Sequence, residues 1–180
     1  LDELPAIAFP WVLKPVDRSG SQGVIRADDI EAARAAAARV GAVSDGPLLV
    51  EEYVPGVEVA VEGLLRGGEL TVLAIFDKPD PLEGPYFEET IYVTPSRLDA
   101  DVLARVADVT GRACSALGLV EGPIHAELRV SGDRIHVIEV AARSIGGLCA
   151  RTLQFGAGIA LEELVLRHAL AMPLDGLTRA

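Results

Sequence analysis

The chain has 180 residues, half of them hydrophobic but only 4% aromatic, with a formal net charge of −11. That length suits one domain or two closely packed lobes, and the composition suits an enzyme core of helices and strands rather than disorder. The acidic balance argues against a nucleic-acid-binding surface and against a polybasic membrane patch.

No apolar stretch approaches the roughly 20 residues needed to span a bilayer, and no signal peptide is visible. A cytoplasmic location is the default expectation. Cys114 and Cys149 are the only cysteines. They are too few for a disulfide framework or a structural zinc site, and Cys114, in a helix-like apolar pattern, is expected to fill core. Leu1 is not a methionine, Leu1 to Phe9 reads as a passage between elements, and the end stops just after a helix. The chain is therefore expected to be an internal piece of a larger protein.

The first expected element is a strand, Pro10 to Val16, with Pro15 at its exposed end. Asp17 to Gly23 is a loop of small polar residues. Asp28 and Asp29 open an Ala-rich helix running through Arg39, with acids where the helix dipole favours them and Gly41 as its stop. A second strand runs from Leu48 to Val54 into the Pro55-Gly56 turn. Val57–Leu65 and Leu70–Phe76 alternate and form a hairpin across residues 66–69.

Asp77 to Glu88 is a long loop, of the length at which loops tend to carry function. Thr90 to Val93 is a short strand, and Asp99 to Leu117 is an amphipathic helix with Val102, Leu103, Val106, Val109 and Ala113 at helical spacing. Two more strands follow, His125–Val130 and Ile135–Arg143, joined by a turn at Ser131–Arg134. Gly146-Gly147 leads to a helix from Leu148 to Phe155, and Leu161 to Leu170 forms another. The order is not a regular strand–helix alternation, so the fold class is α+β: a small strand–loop–helix–strand lobe (1–55), then a larger antiparallel sheet with helices (56–180).

Pairing the last two strands brings Glu127 and Glu139 together on one face. Two adjacent carboxylates repel unless a cation lies between them, and Mg²⁺ takes one or two carboxylates with substrate phosphates. Phosphate-binding candidates lie upstream. Lys14 sits on the first strand, just before Ser19-Gly20-Ser21-Gln22-Gly23-Val24, where glycine backbone, hydroxyls and an ammonium could gather round phosphate. The loop lacks the Gly-Lys-Ser/Thr ending of a P-loop. Glu51-Glu52-Tyr53-Val54 ends the second strand in a hinge whose backbone could pair with an adenine edge, and Glu58 follows. Each piece alone also has an ordinary reading: a turn, a snorkelling edge lysine, a solvated strand end.

The ordered set resembles the ATP-grasp superfamily over nearly the whole chain. Gly56-Val57-Glu58-Val59-Ala60-Val61-Glu62-Gly63, Phe87-Glu88-Glu89 with Thr94-Pro95-Ser96, and Glu139 through Gly147 are most similar to the amino-acid ligases that include carnosine synthase and bacterial dipeptide synthetases.

The resemblance implies an ATP-grasp fold and an ATP- and Mg²⁺-dependent carboxylate–amine ligase working through an acylphosphate, with Mn²⁺ as a possible substitute. It implies Lys14 on the nucleotide phosphates under a lid formed by Ser19, Gly20, Ser21 and Gly23. Glu52 and Val54 would present backbone to adenine, with Tyr53 between them, Glu51 beside them and Glu58 on the ribose. Glu127 and Glu139 would hold the metal, and Arg143 would grip a carboxylate or the transferring phosphoryl group.

Glu89 could meet a substrate ammonium or be a solvated loop residue. His125 could touch phosphate or substrate, or be structural. Ala141 stands where many members of the superfamily have a metal-binding Asn.

The implied partners are a small carboxylic acid, an amine and a preceding lobe of the same protein, with self-association left open. A purine-biosynthetic or biotin-carboxylase-type enzyme and a non-catalytic nucleotide-binding module are the alternatives.

Overall fold

The structure, a computed structural model, describes residues 6–88, 90–156 and 158–174. The chain divides into two compact units, Leu1–Pro55 with Asp80–Thr90, and Gly56–Pro79 with Ile91–Ala180.

In the first unit β1 (Trp11–Pro15) is the centre of a three-stranded antiparallel sheet, flanked by β2 (Ile25–Ala27) and β3 (Leu48–Glu52). Period-2 alternation sends Trp11 and Leu13 inward, where they meet Ile25, Ala27 and the Ala33, Ala36 and Val40 stripe of α1 (Ile30–Gly41). Asp29 caps α1 by accepting from the Ala32 N–H at 2.8 Å.

Asp80–Thr90 is fastened to this unit. The Arg26 N–H donates to the Pro85 carbonyl at 2.8 Å, and Arg26 Nη1 donates to the Glu83 carbonyl at 2.7 Å. Ile25 bridges to Tyr86, whose hydroxyl meets Arg39. Gly84 lies at φ +98°, and a Cβ there would sit 2.8 Å from Arg26 Cβ. The long loop is thus a strap bonded to the small sheet.

The second unit holds a four-stranded antiparallel sheet ordered β5-β4-β6-β7, made of β4 (Val57–Arg66), β5 (Glu69–Lys78), β6 (Gly122–Ser131) and β7 (Arg134–Ala141). One face is mostly apolar, with Asp77 opposite Val59 on the edge strand: Val59, Val61, Ile124, Ala126, Leu128 and Val130 pack on α2 (Ala100–Ala116) through Val106 and Cys114. Cys114 is core, and burial raises its thiol pKa. The other face begins apolar with Ala60, Ala74 and Phe76, packed against Ile145, Ala150, Leu153 and Phe155 and against Leu161 and Leu164 of α3 (Leu161–Ala169). Gly56 is required where β4 begins, because at φ +127° a Cβ would lie 2.3 Å from the Val130 carbonyl oxygen.

Three local readings change. β2 was not expected as a strand. Residues 148–155, expected as a helix, form a short 3₁₀ turn at Cys149–Thr152 and a strand β8 (Gln154–Phe155) paired with β9 (Ile159–Ala160). The strand expected at Thr90–Val93 is a single bridge, Asp77 to Val93. Among the described residues no helix is long and apolar enough to cross a membrane.

Candidate active site

The antiparallel register assembles the site. In β6, His125, Glu127 and Arg129 share one face, and their partners in β4 are Glu62, Ala60 and Glu58. In β5, Lys78 lies opposite Glu58, and in β7, Glu139 lies opposite Glu127 and Ala141 opposite His125. The pairing inferred for Glu127 and Glu139 is therefore present. The β6–β7 register shifts between Glu127 and Leu128, and the β4–β5 register shifts between Glu62 and Gly63. Bulges of this kind re-aim side chains, and both fall at charged residues of this face.

Three carboxylates and three cations interlock here. Lys78 Nζ donates to Glu58 Oε1 at 2.8 Å and to Glu127 Oε1 at 2.7 Å, with its side chain 1% exposed. Arg129 Nε donates to the second Glu58 oxygen at 2.9 Å. His125 lies between Glu62, bonded at Nδ1, and Glu127, 3.3 Å from Nε2.

Burial alone would lower the His125 pKa, but hydrogen bonds to Glu127 and Glu62 and their charges raise it to about 9. Burial alone would raise Glu127, but the hydrogen bond from His125 and the Lys78 charge bring it to about 2. At neutral pH an imidazolium therefore donates from Nε2 to an ionised Glu127, with Nδ1 held by Glu62.

The residues implied by the resemblance fall into two groups, one in each unit. In the first unit Lys14 and Glu51 form an ion pair. They sit diagonally on one face, since Glu51 is opposite Val12 and Leu49 opposite Lys14. Gly20, Ser21 and Gly23 all have left-handed φ, 63°, 58° and 80°, so the Ser19–Val24 loop turns tightly. The Tyr53 N–H donates to the Pro10 carbonyl at 2.8 Å, and its ring lies 4.3 Å under the Arg26 guanidinium. Glu52 is exposed, while Glu51 and Val54 are partly covered.

In the second unit Glu139 is exposed, and Glu127 is 18% exposed. Arg143 is exposed beyond the end of β7 and donates to the Ser144 carbonyl at 3.0 Å. Glu58 is buried with both oxygens on cations, which leaves it less open to a ribose than the exposed Glu52. His125 is 5% exposed and enclosed between two carboxylates, which favours the structural side of its two readings over substrate contact. Glu89 lies outside the described residues.

Sequence reasoning missed Lys78, Glu62 and Arg129. The signal for Lys78 was its phase: Ala74, Phe76 and Lys78 follow one period-2 face, so the strand extends into what reads as the loop.

A divalent cation fits this face. Two opposed carboxylates, one exposed, are the number that Mg²⁺ uses when phosphates and water complete its octahedron. Among the described residues no group of three or more His, Cys, Asp or Glu side chains could hold a metal.

The ATP-grasp domain family matches residues 7–152. An alanine–anticapsin ligase of Bacillus subtilis is 28% identical across 91% of this chain and 39% of that protein. Carnosine synthase 1 of Homo sapiens is 32% identical across 58% of this chain and 12% of that protein. An L-amino acid ligase structure from Bacillus licheniformis superposes with a TM-score of 0.74 at 39% identity, covering 93% of this chain and 40% of that one. The chain spans well under half the length of each of these proteins. With its antiparallel α+β architecture and a family match across most of its length, the chain belongs to the ATP-grasp family.

Proposed function

We propose that the protein carrying these residues is an ATP- and Mg²⁺-dependent ligase joining a small carboxylic acid to an amine, with amino acids as the substrate class. The observation that supports this most is the opposed Glu127–Glu139 pair, on the same sheet face as a charge-balanced cluster and beside the loop that carries Arg143. The names of three similar proteins, an alanine–anticapsin ligase, carnosine synthase 1 and an L-amino acid ligase, support the same class.

In this reading ATP supplies the phosphoryl group that activates the acid as an acylphosphate, from which the amine displaces phosphate. Lys14 neutralises nucleotide phosphates, and the Ser19–Val24 loop covers them. The Glu51–Val54 hinge receives the adenine. Glu127 and Glu139 hold Mg²⁺. Arg143 orients a carboxylate or the transferring phosphoryl group, because its planar fork grips two oxygens at once. Such a reaction needs positioning and neutralisation of charge more than covalent help from the protein.

Phosphate release by the full-length protein with MgATP, followed across pooled L-amino acids, tests the reading. Release stimulated by one or more pools is the expected result. Release indifferent to every acid and amine pool would contradict it.

A further inference from the structure

Glu62 is a fully buried carboxylate, 1% exposed, with a different partner on each oxygen. Oε1 meets His125 Nδ1, and Oε2 accepts the Ile145 N–H at 2.9 Å. His125 continues the chain of contacts to Glu127 Oε1. β7 ends at Ala141, directly opposite His125, and four residues later Ile145 is bonded to Glu62, which lies opposite His125 on the other side. The loop carrying Arg143 thus leaves the sheet on one side of His125 and is tied down on the other.

Burying a carboxylate is costly unless its bonds are specific, and an apolar residue would pack the same space at less cost. What the carboxylate adds is a geometric tie between a loop backbone and a metal-binding strand. We propose that Glu62 is a positioning residue that sets the Arg143 loop in register with Glu127, with His125 as the link. The inference rests on the roles given above to Glu127 and Arg143.

If reach is what matters, length and charge have opposite consequences. Glu62→Gln keeps the length: its carbonyl can accept from Ile145, and its amide can donate to Nδ1 of a neutral imidazole that still donates to Glu127. Glu62→Asp keeps the charge but is one methylene short of serving both partners.

The test measures MgATP-dependent phosphate release by the full-length protein with pooled L-amino acids, together with MgATP affinity by calorimetry. Glu62→Asp is expected to lower kcat by about 100-fold, the scale of an ångström-level misplacement, with MgATP affinity within about threefold. Glu62→Gln is expected to retain kcat within about fivefold. In an Arg143→Ala background Glu62→Asp should add little further loss, as coupled positions do.

The reverse order, aspartate tolerated and glutamine inactive, overturns the proposal in favour of a purely electrostatic role. So does full additivity with Arg143→Ala. If Arg143→Ala itself leaves the rate intact, or the unaltered protein releases no phosphate, the functional reading fails and takes this one with it. Should both variants fail to fold, amide exchange in the unaltered protein decides. Protection at Ile145 comparable to that of β6 is expected, and rapid exchange there overturns the tie.

Discussion

Replacing Lys78 with methionine is expected to destabilise the protein by about 3 to 5 kcal/mol, the usual cost of removing one member of a buried ion pair. For a chain of this size that lowers Tm by roughly 10 °C. The Lys78 side chain is 1% exposed and its ammonium contacts two carboxylates at 2.8 and 2.7 Å. Methionine keeps most of the apolar stem, so the loss isolates the charge. Glu58 would keep Arg129, and Glu127 would keep His125, but the face would hold one uncompensated negative charge out of water.

An exposed control separates this from a general effect of removing cations. Arg112, paired with Asp108 on the surface of α2 with both side chains more than half exposed, should cost less than about 1 kcal/mol when changed to methionine. Chemical denaturation of both variants in EDTA makes the comparison. A Lys78→Met loss no larger than that of the control would contradict the charge-balanced face.

Stability without metal should peak in mildly acidic solution and fall on both sides. Glu127 has its folded pKa depressed from 4.5 to about 2. Its contribution is complete above pH 4.5 and is lost as pH falls toward 2. His125 has its folded pKa raised from 6.5 to about 9. Its contribution is complete below pH 6.5 and is lost as pH rises through 9.

At about 1.4 kcal/mol per pH unit, each limb carries about 3 kcal/mol. The two limbs share the His125–Glu127 bond and are not summed. Urea titrations between roughly pH 3 and pH 9.5 in EDTA, compared with His125→Gln, measure the limbs. The substitution should flatten the alkaline one. Stability that rises in the unaltered protein from pH 6.5 to 9 would contradict the assignment.

Elements with a local signature were legible in the sequence. The Asp29 cap and Ala stripe mark α1, and the spacing of Val102, Val106 and Val109 marks α2. Alternation and a four-residue turn placed Glu127 and Glu139 on neighbouring strands, but an unbroken register from that turn would set Glu127 opposite Ile138. The shift between Glu127 and Leu128, which has no local signature, brings Glu139 opposite it.

What was missed depends on partners distant in sequence. β2 is three residues long and exists as an edge of β1, so it has no pattern of its own. Glu62 looks like any polar residue in an alternating strand until β6 places His125 opposite it. Lys78 was read into the loop because Pro79, Asp80 and Pro81 follow it, yet β4 holds β5 in pairing up to that residue. The strap at Asp80–Thr90 reads as a free loop because its bonds run to Arg26 and Arg39, more than 40 residues away.

The most direct test of the account is calorimetric titration of MgATP into the full-length protein and into its Glu127→Gln/Glu139→Gln variant. The account predicts metal-dependent binding to the unaltered protein. In the variant, binding should be at least about 100-fold weaker, equivalent to roughly 2.7 kcal/mol, because the variant keeps the shape of the pair and removes its charge. Absence of binding to the unaltered protein would contradict the nucleotide assignment, and equal binding to both would contradict the role of the carboxylate pair.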